Sequence, residues 1–197
     1  MKTNRLILQA VFLLITPYLN AAETRPYNGT VHAIPGLIEA EHWDEGKAGI
    51  AYHDIDAENH GENYREKTQV DIEKRPDASN GRGIGWTKKG EWLVYTVEVK
   101  ERGTYHIEMP VASKKKGGVF HIEMNDKDVT GPINVPDTGS WQSLKLIIHK
   151  NVVLEKGGYR MKVLMDSVGD SNSIGDIDYF KFVKKRKKNI QNRISDQ

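Results

Sequence analysis

In the stretch PGLIEAEHWD, Pro35 to Asp44, two carboxylates, Glu39 and Glu41, stand two residues apart. Side chains at i and i+2 of a strand leave the same face roughly 7 Å apart. Two like charges at that spacing repel one another, and a metal ion, a sugar undergoing hydrolysis or water would each relieve the repulsion. A second pair, Asp176 and Asp178 in GDIDYF, repeats the spacing near the other end of the chain. First and last strands are often neighbours in a sandwich, so the two pairs can converge. Hard oxygen ligands gathered in this way suit Ca2+, which takes about six to eight oxygens at about 2.4 Å. Carboxyl pairs roughly 5 to 9.5 Å apart also serve glycosidic hydrolysis. That chemistry further requires one carboxyl of raised pKa and a deep cleft, for which a single short sandwich has little material. Solvated strand ends with ordinary surface charge fit the same pattern.

Other chemistries find less support. Cysteine is absent, which removes disulfides, thiolate metal sites and a cysteine nucleophile. No G-x-S-x-G elbow occurs. GRGIGW, Gly81 to Trp86, has a superficial glycine spacing but no helix after it, so it does not read as a nucleotide loop. The seven His lack zinc-ligand spacing. Four Trp stand at 43, 86, 92 and 141. Trp92 lies inside the alternating EWLVY and reads as core, whereas Trp86 in GIGWTKKG and Trp141 in DTGSWQ sit beside glycines at strand ends. There a flat ring can be presented to the C–H face of a pyranose, or can close the core as a lid.

Strands must position these groups. EWLVYTVEV, TYHIEMPVA, VFHIEMN, WQSLKLIIH, YRMKVLM and DIDYFKFV alternate apolar with polar residues and carry many β-branched and aromatic side chains. Gly, Asp, Asn and Ser clusters punctuate them. Residues 30–183 show no sustained 3.6-residue apolar period. The expectation is an all-β antiparallel sandwich with alternate residues in a shared core, among them Val94, Tyr105, Ile107, Phe120, Ile122, Leu146, Met161 and Val163.

The chain's 197 residues suffice for one domain with a real core. Lys2 and Arg5, an apolar run from Leu6 to Ile15, and Ala21 and Ala22 have the layout of a secretory signal peptide over residues 1–22. The run is too short to span a bilayer. Export is therefore expected, to a secreted or periplasmic location, with no membrane span. Residues 184–197 begin with KKRKK and read as a basic disordered tail. Export argues against a nucleic-acid role for this tail, while acidic polysaccharide or an anionic surface is a compatible target.

Taken in order, IPGLIEAEHWD, GIAYHDID, ENYREKTQVDIE, GIGWTKKGEWLVYTVEV, GTYHIEMPVAS, GGVFHIEMND, DVTGPINVPDTGSWQS and IGDIDYFKF resemble the successive segments of the family 6 carbohydrate-binding modules, over residues 33–183. The resemblance implies a calcium-stabilised β-sandwich of jelly-roll type that binds polysaccharide or oligosaccharide without cleaving it. It implies a structural Ca2+ held by Glu39, Glu41 and Asp178 with a main-chain carbonyl from the loop around Arg65. It also implies a loop-end sugar cleft between Trp86 and Trp141, with Asp176 bonding hydroxyls. That last position is commonly Asn in the family, and a carboxylate accepts but does not donate. Family members also bind glycans on the concave face of one sheet, where Trp92 matches a core position better. Such modules are usually attached to a glycoside hydrolase, for which this sequence has no room, and this departure leaves a separate hydrolase as the partner to look for. A small glycosidase or lyase using the same carboxylates is the competing reading.

Overall fold

Alternation along the chain becomes two stacked sheets in the computed structural model, which describes residues 24–65 and 67–186. Among these residues fourteen strands occur: β1 (His32–Ile34), β2 (Gly36–Glu39), β3 (Tyr52–His53), β4 (Ile72–Lys74), β5 (Arg82–Ile84), β6 (Trp92–Val99), β7 (Gly103–Ala112), β8 (Val119–Met124), β9 (Lys127–Asp128), β10 (Ile133–Asn134), β11 (Lys145–Leu154), β12 (Gly157–Ser167), β13 (Asp176–Ile177) and β14 (Tyr179–Lys184). One sheet runs β1-β6-β12-β8-β10, with β3 on β6 and β9 on β8. The other runs β2-β14-β7-β13-β5-β4, with β11 along the far side of β7. The signal-peptide reading of residues 1–22 lies outside the described residues, as does the tail beyond Arg186. Lys184 itself closes β14.

Period-2 alternation turns every second side chain inward. Val97, Phe120, Ile122, Met161 and Val163 of one sheet face Ile38, Tyr105, Ile107, Met109, Phe180 and Phe182 of the other, all at most 1% exposed. The Tyr95 ring meets Phe180 edge-on across the gap, 5.9 Å between centroids. Leu146 departs from expectation: it is 53% exposed. Its neighbour Ile147, opposite the buried Met109, packs on the core instead. The run LKLII is apolar at consecutive positions, so the sequence does not define which residue faces inward. Asn151 then takes the left-handed backbone, φ 71°, at a bulge that resets the register.

The last strand lies beside the second, with Tyr179 of β14 opposite Glu39 of β2, while β1 pairs with β6 in the other sheet. Two refinements follow. Glu39 ends β2 and Glu41 lies in the turn after it, so the pair is not carried on a single strand. DIDYFKFV is likewise divided, β13 before Asp178 and β14 after it. Asp178 donates its N–H to the Pro110 carbonyl at 3.1 Å and accepts from the Ala40 N–H at 2.9 Å. The chain therefore turns Asp176 and Asp178 toward different groups. Ordered contacts also begin before residue 33: the Tyr27 ring stacks on His42 at 4.2 Å.

Candidate functional site

Three segments far apart in sequence meet at the end of the sandwich reached by Ala112 of β7, which pairs with Asp176. Trp86 follows β5, Trp141 precedes β11 and Asp176 opens β13. Together with Glu73 of β4, Gln142 and Ser173 they line a cleft of about 310 Å³. Trp86 is 43% exposed and takes a left-handed backbone, φ 50°. Such a conformation costs a bulky residue on the order of 1 kcal/mol or more. It persists here while its ring faces the cleft mouth. Gly85 beside it eases the packing, because a Cβ there would come within 3.1 Å of Asp176 Oδ1, a tighter contact than most.

Arg75 organises the floor, and its side chain is fully buried. Nη1 donates to Glu73 Oε2 at 2.8 Å and to Asp176 Oδ2 at 2.7 Å. Nη2 donates to Asp77 Oδ2 at 3.0 Å and to the Trp141 carbonyl at 2.7 Å, while Nε donates to Asp77 Oδ1 at 3.1 Å. All five guanidinium N–H groups thus find acceptors. Asp77 accepts in turn from the Leu144 N–H at 3.1 Å, and Glu73 Oε1 from Gln142 at 2.8 Å. These bonds tie the Trp141 loop to β4 and β13. Burial pushes the Asp176 carboxyl up to about 7, with Glu73 adding repulsion and Arg75 opposing both. Asp at this position has a local partner: its Oδ2 accepts from the buried Arg75 guanidinium, which Glu73 and Asp77 share. Neither Arg75 nor Glu73 stands out in DIEKRPD, which reads as an exposed charged turn.

A second polar cluster forms where β2 and β14 end. Glu41 and Asp178 are buried, at 0% and 2% exposure, and Glu39 faces them. The Ser79 hydroxyl stands 2.8 Å from Glu39 Oε2 and 3.0 Å from Asp178 Oδ1, and the Ser79 N–H donates to both Asp178 oxygens. Asn80 Nδ2 donates to Glu41 Oε1. Glu41 Oε2 is buried with no hydrogen-bond partner. One hydroxyl proton cannot serve two carboxylates, so this donor set is short of positive charge. Burial is the largest cause raising Glu39, to about 7, and raising Glu41 and Asp178; repulsion from Glu41 and Asp178 adds to it at Glu39, from Asp178 at Glu41 and from Asp77 at Asp178. The chemistry suits a hard cation. Among the described residues, no three His, Cys, Asp or Glu side chains are already drawn into a ligand shell; Ser79 and Asn80 stand among the carboxylates.

Arg65 reaches Glu41 by another route. Its guanidinium donates to the carbonyls of Glu41, Trp43 and Asp44 at 3.3, 2.7 and 3.3 Å and covers the Trp43 ring at 4.1 Å. Its own main-chain carbonyl accepts from the Thr68 N–H and hydroxyl, both at 2.9 Å. The loop residues that touch the carboxylates are Ser79 and Asn80. Trp43 is the fully buried tryptophan of the core. Trp92, expected there, is only half-buried, with Lys162 Nζ 4.9 Å from its ring centroid and His53 beside it at 6.2 Å. As the first residue of β6, opposite His53 at the sheet's margin, it lies outside the close packing that covers Leu93 and Tyr95.

The model of a family described as carbohydrate binding module (family 6) matches residues 60–184. The clotting factor G alpha subunit of Tachypleus tridentatus is 30% identical over 104 residues, which are 52% of this chain and 15% of that protein. Beta-agarase AgaA of Microbulbifer thermotolerans is 27% identical over 107 residues, 53% of this chain and 24% of that protein. The chain thus spans less than a quarter of the length of either relative. Among solved structures, a beta-1,3-glucan-binding module of the family from Bacillus halodurans superposes with a TM-score of 0.58 at 23% identity, covering 78% of this chain and 98% of that one. A module of Cellvibrio mixtus lichenase 5A, in complex with cellotriose, gives 0.56 at 24% identity, covering 77% and 98%. At these identities the likeness concerns the fold.

Proposed function

The chain belongs to carbohydrate-binding module family 6, and we propose that it binds a neutral polysaccharide or oligosaccharide segment, without cleaving it, between Trp86 and Trp141. The observation that carries this reading is the convergence of Trp86, Trp141, Asp176 and Glu73 on one cleft of about 310 Å³. The two indoles offer flat apolar faces to the C–H faces of a sugar ring. Glu73, Asp176 and Gln142 at the floor supply oxygens and an amide for its hydroxyls. Beta-1,3-glucan and cellotriose, the ligands named for the related modules, are the first glycans to try, with xylan and agar-type galactan beside them. Affinity electrophoresis of the wild type and Trp141→Ala on these glycans tests the reading: retarded wild type and unretarded variant support it, equal mobility contradicts it.

Recognition fits the cleft better than hydrolysis. Glu73 and Asp176 share one guanidinium nitrogen of Arg75, and Asp176 is only 4% exposed. Paired to a buried guanidinium through Oδ2, Asp176 keeps Oδ1 to accept from a sugar hydroxyl, but it is not placed as one of two free carboxyls flanking a glycosidic bond. Modules of this family are generally non-catalytic, and a separate glycoside hydrolase is the partner that would use such a binder.

We further propose that Glu39, Glu41 and Asp178 hold a structural Ca2+, supported by the unpartnered Glu41 oxygen and the excess of carboxylates over donors. The Arg65 carbonyl accepts from Thr68, and Ser79 and Asn80 bond the carboxylates directly, so main-chain carbonyls of either loop could complete the shell. When bound, the ion would offset two of the three carboxylate charges and fix the junction of β2 with β14. Its role is stability, apart from the sugar. Export to a secreted or periplasmic location completes the proposal, on the strength of the amino-terminal sequence. No helix among the described residues is long and apolar enough to cross a membrane.

A further inference from the structure

At the opposite end of β7 the molecule carries a groove of about 1130 Å³, more than three times the volume of the tryptophan cleft. The two sites lie roughly 30 Å apart, the length of a ten-residue strand at about 3.3 Å per residue. The groove forms where the start of β7, the end of β11 and the end of β14 meet. Lys185 donates its N–H to the Thr104 carbonyl at 2.8 Å and its Nζ to Asn151 Oδ1 at 2.5 Å. Gly103 leaves room for the Lys184 stem, which a Cβ there would strike at 2.6 Å. Four cations line the groove: Arg102, Lys184, Lys185 and Arg186. Two carboxylates border it, Glu155 beside Arg102 at 3.0 Å and Glu101 paired with Lys184. Both acids are more than half exposed, and exposed ion pairs of this kind hold their partners weakly. An anionic ligand can therefore take over the cations.

We propose that this basic groove is a second binding site, for the sulfate or carboxylate groups of an acidic polysaccharide. Its shape and chemistry differ from those of the cleft. Among the described residues no aromatic side chain lines it, and Val153, 62% exposed, is the one large apolar residue there. Sugar stacking plays no part, so charge alone selects the ligand. The same lack of aromatic platforms disfavours single-stranded nucleic acid, whose bases bind by stacking. The geometry is independent of the tryptophan cleft, so one protein could hold a neutral chain at one end and an acidic chain at the other.

Binding of dextran sulfate by the full-length chain, with uncharged dextran as control, tests the site. Dextran sulfate should bind and dextran should not, and affinity should fall roughly tenfold or more as salt rises from about 50 to about 200 mM, as screening of surface charge requires. Arg102→Glu combined with Lys185→Glu should weaken binding at least about tenfold, charge reversal adding repulsion to the lost attraction. Lys185→Ala with Arg186→Ala, at two exposed positions, provides a gentler pair should the reversal disturb folding. Trp141→Ala should leave dextran sulfate binding unchanged, which separates this site from the proposed cleft. Equal binding by wild type and both groove variants would overturn the proposal. So would loss of binding on truncation after Arg186, which would assign it to the tail, or equal affinity for single-stranded DNA, which would make the surface a general polyanion binder.

Discussion

Arg75 Nη1 lies 2.7 Å from Asp176 Oδ2, an ion pair between a fully buried guanidinium and a carboxylate 101 residues away in sequence. The same guanidinium donates to the Trp141 carbonyl at 2.7 Å. One side chain thus fixes both a polar group on the cleft floor and the loop that presents an aromatic wall. Arg75→Met leaves Glu73, Asp77 and Asp176 without their common cation. Removing one member of a buried pair costs about 3–5 kcal/mol, so the melting temperature should fall on the order of 10 °C for a domain of this size. Thermal unfolding followed by circular dichroism checks it, and a melting curve that does not move would show that Arg75 does not hold the floor. Arg75→Lys keeps the charge but loses the fork, and should weaken glycan binding with a smaller loss of stability.

Calcium removal should destabilise the fold. With chelator, Glu39, Glu41 and Asp178 face one another with only the neutral donors of Ser79 and Asn80 between them. An ion held at about 100 times its Kd contributes about 2.7 kcal/mol, which corresponds to a melting temperature roughly 5–10 °C lower in its absence. Differential scanning calorimetry with and without EDTA measures the shift. Asp178→Asn should melt lower than wild type in calcium and respond less to EDTA. An identical wild-type melt in both buffers would remove the ion from the account.

Stability should also depend on Glu91. Burial pushes its carboxyl from an ordinary value near 4.5 up to about 8, with repulsion from Asp54 and Asp71 in support. The folded state therefore keeps a proton that the unfolded state releases between those pH values. This contribution is full below about pH 4.5 and is lost as pH rises through about 8. Glu91→Gln removes the titration and leaves an oxygen to accept from the Lys88 N–H, now bonded at 2.8 Å. The variant should melt higher than wild type at pH 8, and the gap should close toward pH 4.5. Parallel melting curves at all pH values would refute the assignment.

Much of the architecture was legible because a strand buries every second residue. EWLVY, TYHIEM and VFHIEM alternate cleanly and form β6, β7 and β8. LKLII does not alternate, and there the choice between Leu146 and Ile147 fell to the register with β7. Trp86 and Trp141 were visible through glycines and turn residues at their flanks, Asp176 joined them only through the family resemblance, and all three line one cleft. Arg75 and Glu73 were not, since five charged residues within DIEKRPD look like solvated surface until β13 and the Trp141 loop close over them. Ser79 and Asn80 escaped for a similar reason. A turn's polar residues acquire a role only when another strand end, here that of β2, arrives beside them.

The most direct test of the central claim is the affinity of wild type and Trp141→Ala for soluble β-1,3-glucan and cello-oligosaccharides by titration calorimetry. Losing one stacked ring removes about 1–1.5 kcal/mol, roughly a five- to tenfold weaker Kd. Trp141 is only half-buried, so the melting temperature should change little. A variant that binds these glycans as tightly as wild type would contradict the account and move sugar recognition away from the cleft between Trp86 and Trp141.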